Sequence, residues 1–369
     1  MRKHIPLFFL LGCWLMLAIL FLALPDQKTS FSERRSLAQF PKLSVQTVTS
    51  GRFMEQFETY AADQFPGRDT FRALKAGLQR FVLQQKDVNG IYVTKNADKE
   101  TVAAAMLYPQ SDASVSHALQ CFDRIYATYL EGTNTKLYAA IIPDKNSYLA
   151  KQTGHLSLDY DDFSSTFEEG MTWAQWIDLT DTLSADCYYR TDPHWDQTKL
   201  LPVAQKLLAA LGKGGDAWTE QDVTLSISDM PFSGVYCGQT ALPLTPDTLT
   251  WYTNDVLESC EVSDANGASL LYDADALSGK DPYSFFCSGS VPLLTITNPN
   301  AQTNRNLVIF RDSFGSSIAP LLVPAYRSIT LIDTRYMSPS LIGDYVTFTD
   351  QDVLFLYSTV LLNDSSTLR

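Results

Sequence analysis

Apolar positions fall along this chain in three rhythms, and each predicts a different kind of element. Over residues 5–24 they form an almost unbroken run of about 20 residues without a charge, long enough to cross a bilayer as a helix. Next, Phe53, Phe57, Tyr60 and Ala61 recur at helical spacing. Phe71, Leu74, Leu78, Phe81 and Val82 do the same after a break at Pro66 and Gly67. Two amphipathic helices joined by DQFPGRD follow, with apolar faces that pack on the main domain or on a partner. From Asn89 onward, short apolar runs alternate with helical stretches. A turn at Asn89 and Gly90 leads into a strand, and residues 115–130 form a helix stopped by Gly132. Residues 136–142 form a strand closed by Pro143, and 197–211 a helix capped by Asp196 and ended by Gly212. Leu307, Val308, Ile309 and Phe310 read as a strand buried on both faces. Ile318, Leu321 and Leu322 then return to helical spacing, and further strands are expected at 327–332 and 353–357. Strand and helix in alternation predict an α/β fold around a mostly parallel sheet of about five strands. Between residues 212 and 300 the periodicity weakens and Gly, Ser, Asp and Pro accumulate around short strands at 248–253 and Leu293–Thr297. This is expected to be a β-rich insertion rimming the cleft. The chain thus divides into a segment 1–24, a stalk and helical lead-in 25–96, and a main domain 97–369 with its insertion at about 212–300.

Charge and cysteine content narrow the functional classes. A net charge of −13 and a pI of 4.7 argue against nucleic acid or an anionic membrane surface as a partner and suit a neutral polysaccharide. Arg2, Lys3 and His4 precede the apolar run, which keeps the start cytoplasmic and places the rest on the extracytoplasmic side. The expectation is an uncleaved single-pass anchor; the competitor is a signal peptide, although Leu22, Ala23, Leu24 and Pro25 make a poor cleavage site. LLGC, ending at Cys13, resembles a lipobox, but a lipidated cysteine would end the apolar stretch rather than sit inside it. Five further cysteines allow two disulfides and a spare, or none, with Cys237 and Cys287 the first pair to expect. Four histidines without CxxC or HExxH give no support for metal catalysis. The acidic DYDD at 159–162 lacks the calcium-loop pattern and reads as a solvated loop.

The chemistry concentrates in two stretches. In NLVIFRDSFGSSIAPLL, residues 306–322, Ser313 falls where the carboxyl end of a strand meets a helix amino terminus. Free backbone amides and the positive end of the helix dipole stabilise an anion there. Taken alone, the serine is equally an ordinary helix cap beside Asp312. In YYRTDPHWDQTKL, residues 188–200, Pro193 disfavours helix at Asp192. If the segment is extended, Asp192 and His194 share a face. Asp192 would hold one ring nitrogen of His194 and leave the other for Ser313, the parts of a Ser-His-Asp triad.

Those two stretches resemble the DHHW family of bacterial proteins, relatives of the SGNH hydrolase-like alginate O-acetyltransferases. ERRSLAQFP at 33–41, FETYAADQFPGRD at 57–69, LSGKDPYSFFCSGSVPLLTITNP at 277–299 and VLFLYSTVLLN at 353–363 extend the resemblance over nearly all the chain after the apolar run. The family's Asp-His-His-Trp is here Asp192, Pro193, His194 and Trp195, and Arg311 stands where the hydrolase signature has glycine. The resemblance implies a permuted, three-layer SGNH hydrolase-like fold, without a cofactor. It also implies transfer of an acetyl group to a secreted or cell-wall polysaccharide through an acyl-serine, with a membrane-bound O-acyltransferase as acetyl supplier. Ser313, His194 and Asp192 are then catalytic. Gly289, Ser290, Asn146, Arg190, Trp195 and Asp312 are candidates for oxyanion or substrate contacts, with Ser290 in place of an asparagine common in related sequences. An esterase using water as acceptor, and a polysaccharide-binding protein without catalysis, remain alternatives.

Overall fold

The computed structural model describes residues 5–369, so the basic flank Arg2, Lys3 and His4 lies outside the described residues. The chain forms two compact units, one made of residues up to Asn89 with Val235–Leu244, the other of Gly90–Gly234 with Thr245–Arg369.

In the first unit, the apolar run forms helix α1 (Ile5–Ala23), long and apolar enough to cross a membrane. The two helical patterns become α2 (Arg52–Asp63) and α3 (Arg68–Gly77), the latter continued by a π turn over Leu78–Val82. Gly67, at φ +72°, makes the corner between them. The carboxylate of Asp63 locks the unit together by accepting from Arg35 Nη1 at 2.8 Å and from the Ala38 amide at 2.8 Å. Arg35 first, then the Ala38 amide, hold its pKa down near about 2. Along α3 and the π turn that continues it the apolar stripe is open to solvent, with Leu74 68% and Phe81 71% exposed.

The second unit opens with a hairpin of β1 (Ile91–Lys95) and β2 (Thr101–Ala105). Helix α4 (Asp112–Ile125) precedes β3 (Lys136–Ile142), and α5 (Asn146–Thr153) and α6 (Tyr160–Gly170) precede β4 (Gln175–Trp176). Helix α7 (Leu201–Ala210) is followed by a two-stranded ladder of β5 (Thr224–Phe232) and β6 (Asp247–Thr253). Then come β7 (Glu261–Asp264), β8 (Gly267–Ala268), β9 (Leu293–Thr297), β10 (Asn306–Arg311), α8 (Gly315–Leu322), β11 (Ser328–Ile332) and β12 (Asp352–Ser358). One eight-stranded sheet runs β8-β7-β9-β11-β10-β12-β3-β4. The five neighbours from β11 to β4 are parallel, as the alternation predicts. β9, expected within the insertion, instead pairs antiparallel with β11 and carries the main sheet outward, because its register from Leu293↔Ile332 to Thr297↔Ser328 is complete.

Side chains alternate along the central strand and so build two cores. Leu307 and Ile309 pack with α7 and α8, whereas Val308 and Phe310 pack with α4 and α6. The result is a three-layer α/β/α unit with β10 at its centre.

Two local expectations are corrected. DYDD is no loop: Asp159 accepts from the Asp162 amide at 3.1 Å and caps α6, where acidic residues suit the helix dipole. Cys237 and Cys287 carry thiols rather than a shared disulfide. Cys287 turns inward to the Ser316 carbonyl at 3.3 Å, and burial pushes its thiol up to about 12.

Candidate active site

The turn after β10 is held by its own side chains. Asp312, buried, accepts from the Phe314 amide at 3.0 Å and, across the sheet, from the Ser358 amide at 2.9 Å and hydroxyl at 2.6 Å, fixing the turn to the end of β12. Arg311, fully buried, reaches the carbonyls of Asp312 and Gly289 at 3.3 Å each and Asp333 at 3.7 Å. Gly315 is required here because a Cβ would come within 2.6 Å of Arg311 Cβ. Ser313 is half-buried in this turn, two residues past the buried end of β10.

The second segment is not extended. Residues 190–194 bend back on themselves, with Tyr188 bridged to Trp195 and the Tyr189 amide donating to the His194 carbonyl at 3.0 Å. Asp192 and His194 meet because Asp192 closes a local turn, its Oδ1 accepting from the His194 amide at 3.1 Å. The same oxygen lies 2.6 Å from His194 Nδ1, and His194 Nε2 lies 2.7 Å from Ser313 Oγ. Asp192 is fully buried, and the His194 side chain is 16% exposed.

Residues with no obvious motif hold that bend in place. The buried Lys145 donates to the carbonyls of Ala103 at 2.6 Å and Tyr189 at 2.7 Å. Asp247 accepts from the amides of Arg190 and Thr191 at 2.9 and 2.8 Å and from the Thr191 hydroxyl at 2.5 Å. Gly234 lets the chain press against it: a Cβ there would fall 2.1 Å from the Thr191 carbonyl oxygen. Tyr283 lies flat on the imidazole, with ring centroids 3.8 Å apart and planes 12° from parallel. Its hydroxyl is 2.8 Å from Ser317 Oγ, which also accepts from Trp195 Nε1 at 2.7 Å. Sequence patterning missed Lys145, Asp247, Gly234 and Tyr283. Two of them had a signal, Tyr283 through its place in the LSGKDPYSFF block and Lys145 through its place beside Asn146 just after the strand closed by Pro143.

The other candidates take less direct positions. Asn146 is fully buried and committed to Tyr92 and the Leu156 carbonyl, so its amide is used elsewhere. Arg190 is engaged by Asp247 and Glu100, and Trp195 is wholly enclosed, donating to the Phe314 carbonyl as well as to Ser317. The Gly289 amide is spent on the Phe286 carbonyl at 3.1 Å within a left-handed turn at 287–289, while Ser290 is exposed. Near the serine, the Phe314 amide goes to Asp312 Oδ1 and the Gly315 amide to the Asp312 carbonyl. Among the described residues no acceptor meets the amide of Ser313 itself, which leaves it available to an oxyanion. A half-exposed hydroxyl, an imidazole within hydrogen-bond reach, a buried carboxylate behind it and an unspent amide can together carry out acyl transfer through a serine ester.

No protein-family model matches this chain, and no curated protein sequence matches it. Solved structures do. The fold is similar to that of a DHHW family protein from Eubacterium siraeum, with a TM-score of 0.63 and 19% identity over 76% of this chain and 94% of that one. It is also similar to Bacillus cereus PatB1, solved with a sulfonyl adduct, with a TM-score of 0.57 and 16% identity over 74% of this chain and 97% of that one. The DHHW-like α/β architecture expected from the motifs is therefore the architecture observed.

Proposed function

We propose that this protein is a serine O-acyltransferase, tethered outside the cytoplasmic membrane by α1, that moves an acetyl group onto a polysaccharide hydroxyl. The contact that carries this reading is His194 Nε2 at 2.7 Å from Ser313 Oγ, with Asp192 at 2.6 Å on the opposite ring nitrogen. His194 takes the proton of Ser313 as Oγ adds to the acetyl carbonyl of the donor. The Ser313 amide stabilises the oxyanion, and collapse expels the donor's alcohol or thiol with the proton from His194. The sugar hydroxyl then attacks the acetyl-serine, His194 removes its proton, and the serine is regenerated. Asp192, buried and locally bonded, fixes the ring tautomer and stabilises the transient imidazolium.

The acetyl specificity and the polysaccharide acceptor are proposed from the motif resemblance, together with the DHHW-like fold. The same resemblance suggests a membrane-bound O-acyltransferase as supplier. Ser290, which is exposed, remains a proposed substrate contact, and Arg190, whose guanidinium is bonded to Asp247, Glu100 and the Pro246 carbonyl, is a proposed support. Trp195, Gly289, Asn146 and Asp312 are proposed as supports of the surrounding structure, given the bonds they already make.

Incubation with p-nitrophenyl acetate followed by intact-protein mass spectrometry tests the reading. The wild type should gain one acetyl group on the peptide containing Ser313, and Ser313→Ala should gain none. Equal labelling of the variant, or no labelling of a folded wild type, would reject the serine mechanism. Addition of an oligosaccharide distinguishes transferase from esterase: a transferase yields acetylated sugar in place of free acetate.

A further inference from the structure

Phe21 sits two residues before the end of α1 and sets its ring 5.7 Å from that of Tyr60 on α2. From Tyr60 the aromatic contacts continue outward. Phe40 packs edge-on to Tyr60 at 5.4 Å, to Phe57 at 6.2 Å and to Phe53 at 6.3 Å, and Phe53 stacks on Phe57 at 6.1 Å. A protein core would close over such a cluster, yet Phe40 is 59%, Leu43 68% and Met54 57% exposed. At about 1.5 Å per residue, Phe21 lies only about 3 Å from the end of α1. Rings touching it therefore stand at the height of the membrane boundary, where aromatic side chains settle.

Charge points to the same occupant. Taken whole the chain is strongly acidic, but residues 25–89 carry ten basic against seven acidic side chains, whereas residues 90–369 carry sixteen against thirty-four. The total that argued against an anionic membrane surface conceals a cationic segment beside α1. Lys42 and Arg52, both exposed, adjoin Leu43 and Phe53. At about 100° per residue, Glu55 falls on the opposite side of α2 from the Phe53–Phe57 line.

We propose that the Phe40, Phe53 and Phe57 face is a second membrane contact, seated in the headgroup layer of an anionic bilayer beside the exit of α1. The proposal rests on α1 being a retained span. The anchor and the aromatic face together would fix the lead-in against the membrane instead of leaving it on a swinging tether.

Full-length protein reconstituted into vesicles of phosphatidylethanolamine and phosphatidylglycerol, doped with a lipid carrying a diazirine on its acyl chain, tests this by photolabelling and peptide mass spectrometry. Label is expected on α1 and on peptides bearing Phe40, Phe53 and Phe57. In Phe53→Glu, a half-exposed position, labelling of the Phe40 and Phe57 peptides should fall at least fivefold while α1 stays labelled. Label confined to α1 would overturn the docking surface and leave the anchor standing. Label on the aromatic face without α1 would overturn the proposal as well, because the face would then meet the bilayer with no span beside it. Absence from both would reject both, and protection of the face that depends on protein concentration would assign it to a second copy instead.

Discussion

The imidazole of His194 is held at both ring nitrogens and on one face. Asp192 and Ser313 occupy its two nitrogens, while Tyr283 covers one face at 3.8 Å. An aromatic face attracts the imidazolium that forms during acyl transfer, an effect of about 2 kcal/mol where water is excluded. It also blocks ring rotation out of line with Ser313. Tyr283→Leu should therefore slow acetylation of Ser313 by roughly tenfold to thirtyfold, as converted from that energy. Tyr283→Phe should retain most of the rate, since it loses only the hydroxyl contact with Ser317. Single-turnover release of p-nitrophenol from both variants, compared at equal folded fraction, measures this. A Leu variant as fast as the Phe variant would leave the stack without a catalytic consequence.

At the scale of elements, the base loop owes its shape to neighbours rather than to any propensity of its own. Pro193 excludes helix, but a strand would have satisfied that equally. The bend forms because the backbone groups of residues 189–191 are claimed from outside, by Lys145 three residues past β3 and by Asp247 at the start of β6. Gly234 then lets another segment press directly onto the Thr191 carbonyl. Gly234→Ala forces a methyl group to 2.1 Å from that oxygen, so the loop must move. The expected cost is about 1–3 kcal/mol of stability, a fall of several degrees in Tm, with loss of Ser313 acetylation even where the protein remains folded. Thermal unfolding and acetylation measured side by side check both halves, and an unaffected acetylation rate would show that the loop is not strained by the added carbon.

Over the whole molecule, charge is distributed unevenly enough to affect which acceptors approach. The segment of residues 90–369, which carries Ser313 and His194, holds sixteen basic and thirty-four acidic side chains. Such a surface repels polyanions at separations below a Debye length of about 10 Å at 0.1 M salt. Transfer to a neutral oligosaccharide should change little as salt rises from about 20 to 300 mM, a range over which that screening length shortens severalfold. Transfer to a uronic-acid oligosaccharide should rise severalfold. Initial rates across that range decide the matter, and a rate to the charged acceptor that falls with salt would point to a local basic subsite instead.

The sequence alone determined what depends on near neighbours. The uncharged run of α1, the alternation of Leu307 and Ile309 against Val308 and Phe310, and the polarity change at Arg311 are local patterns set by helix pitch and strand pleat. Ser313, His194 and Asp192 were legible as candidates because their residue types and immediate surroundings suit the chemistry. The tertiary structure decided the rest. It brought His194 to Ser313 across 119 positions and replaced the expected strand geometry of Asp192 with a turn. It also recruited β9 into the sheet and placed Tyr283, Lys145, Asp247 and Gly234 around the base loop. No periodicity marks those residues, because a contact between distant segments leaves no trace in the order of either one.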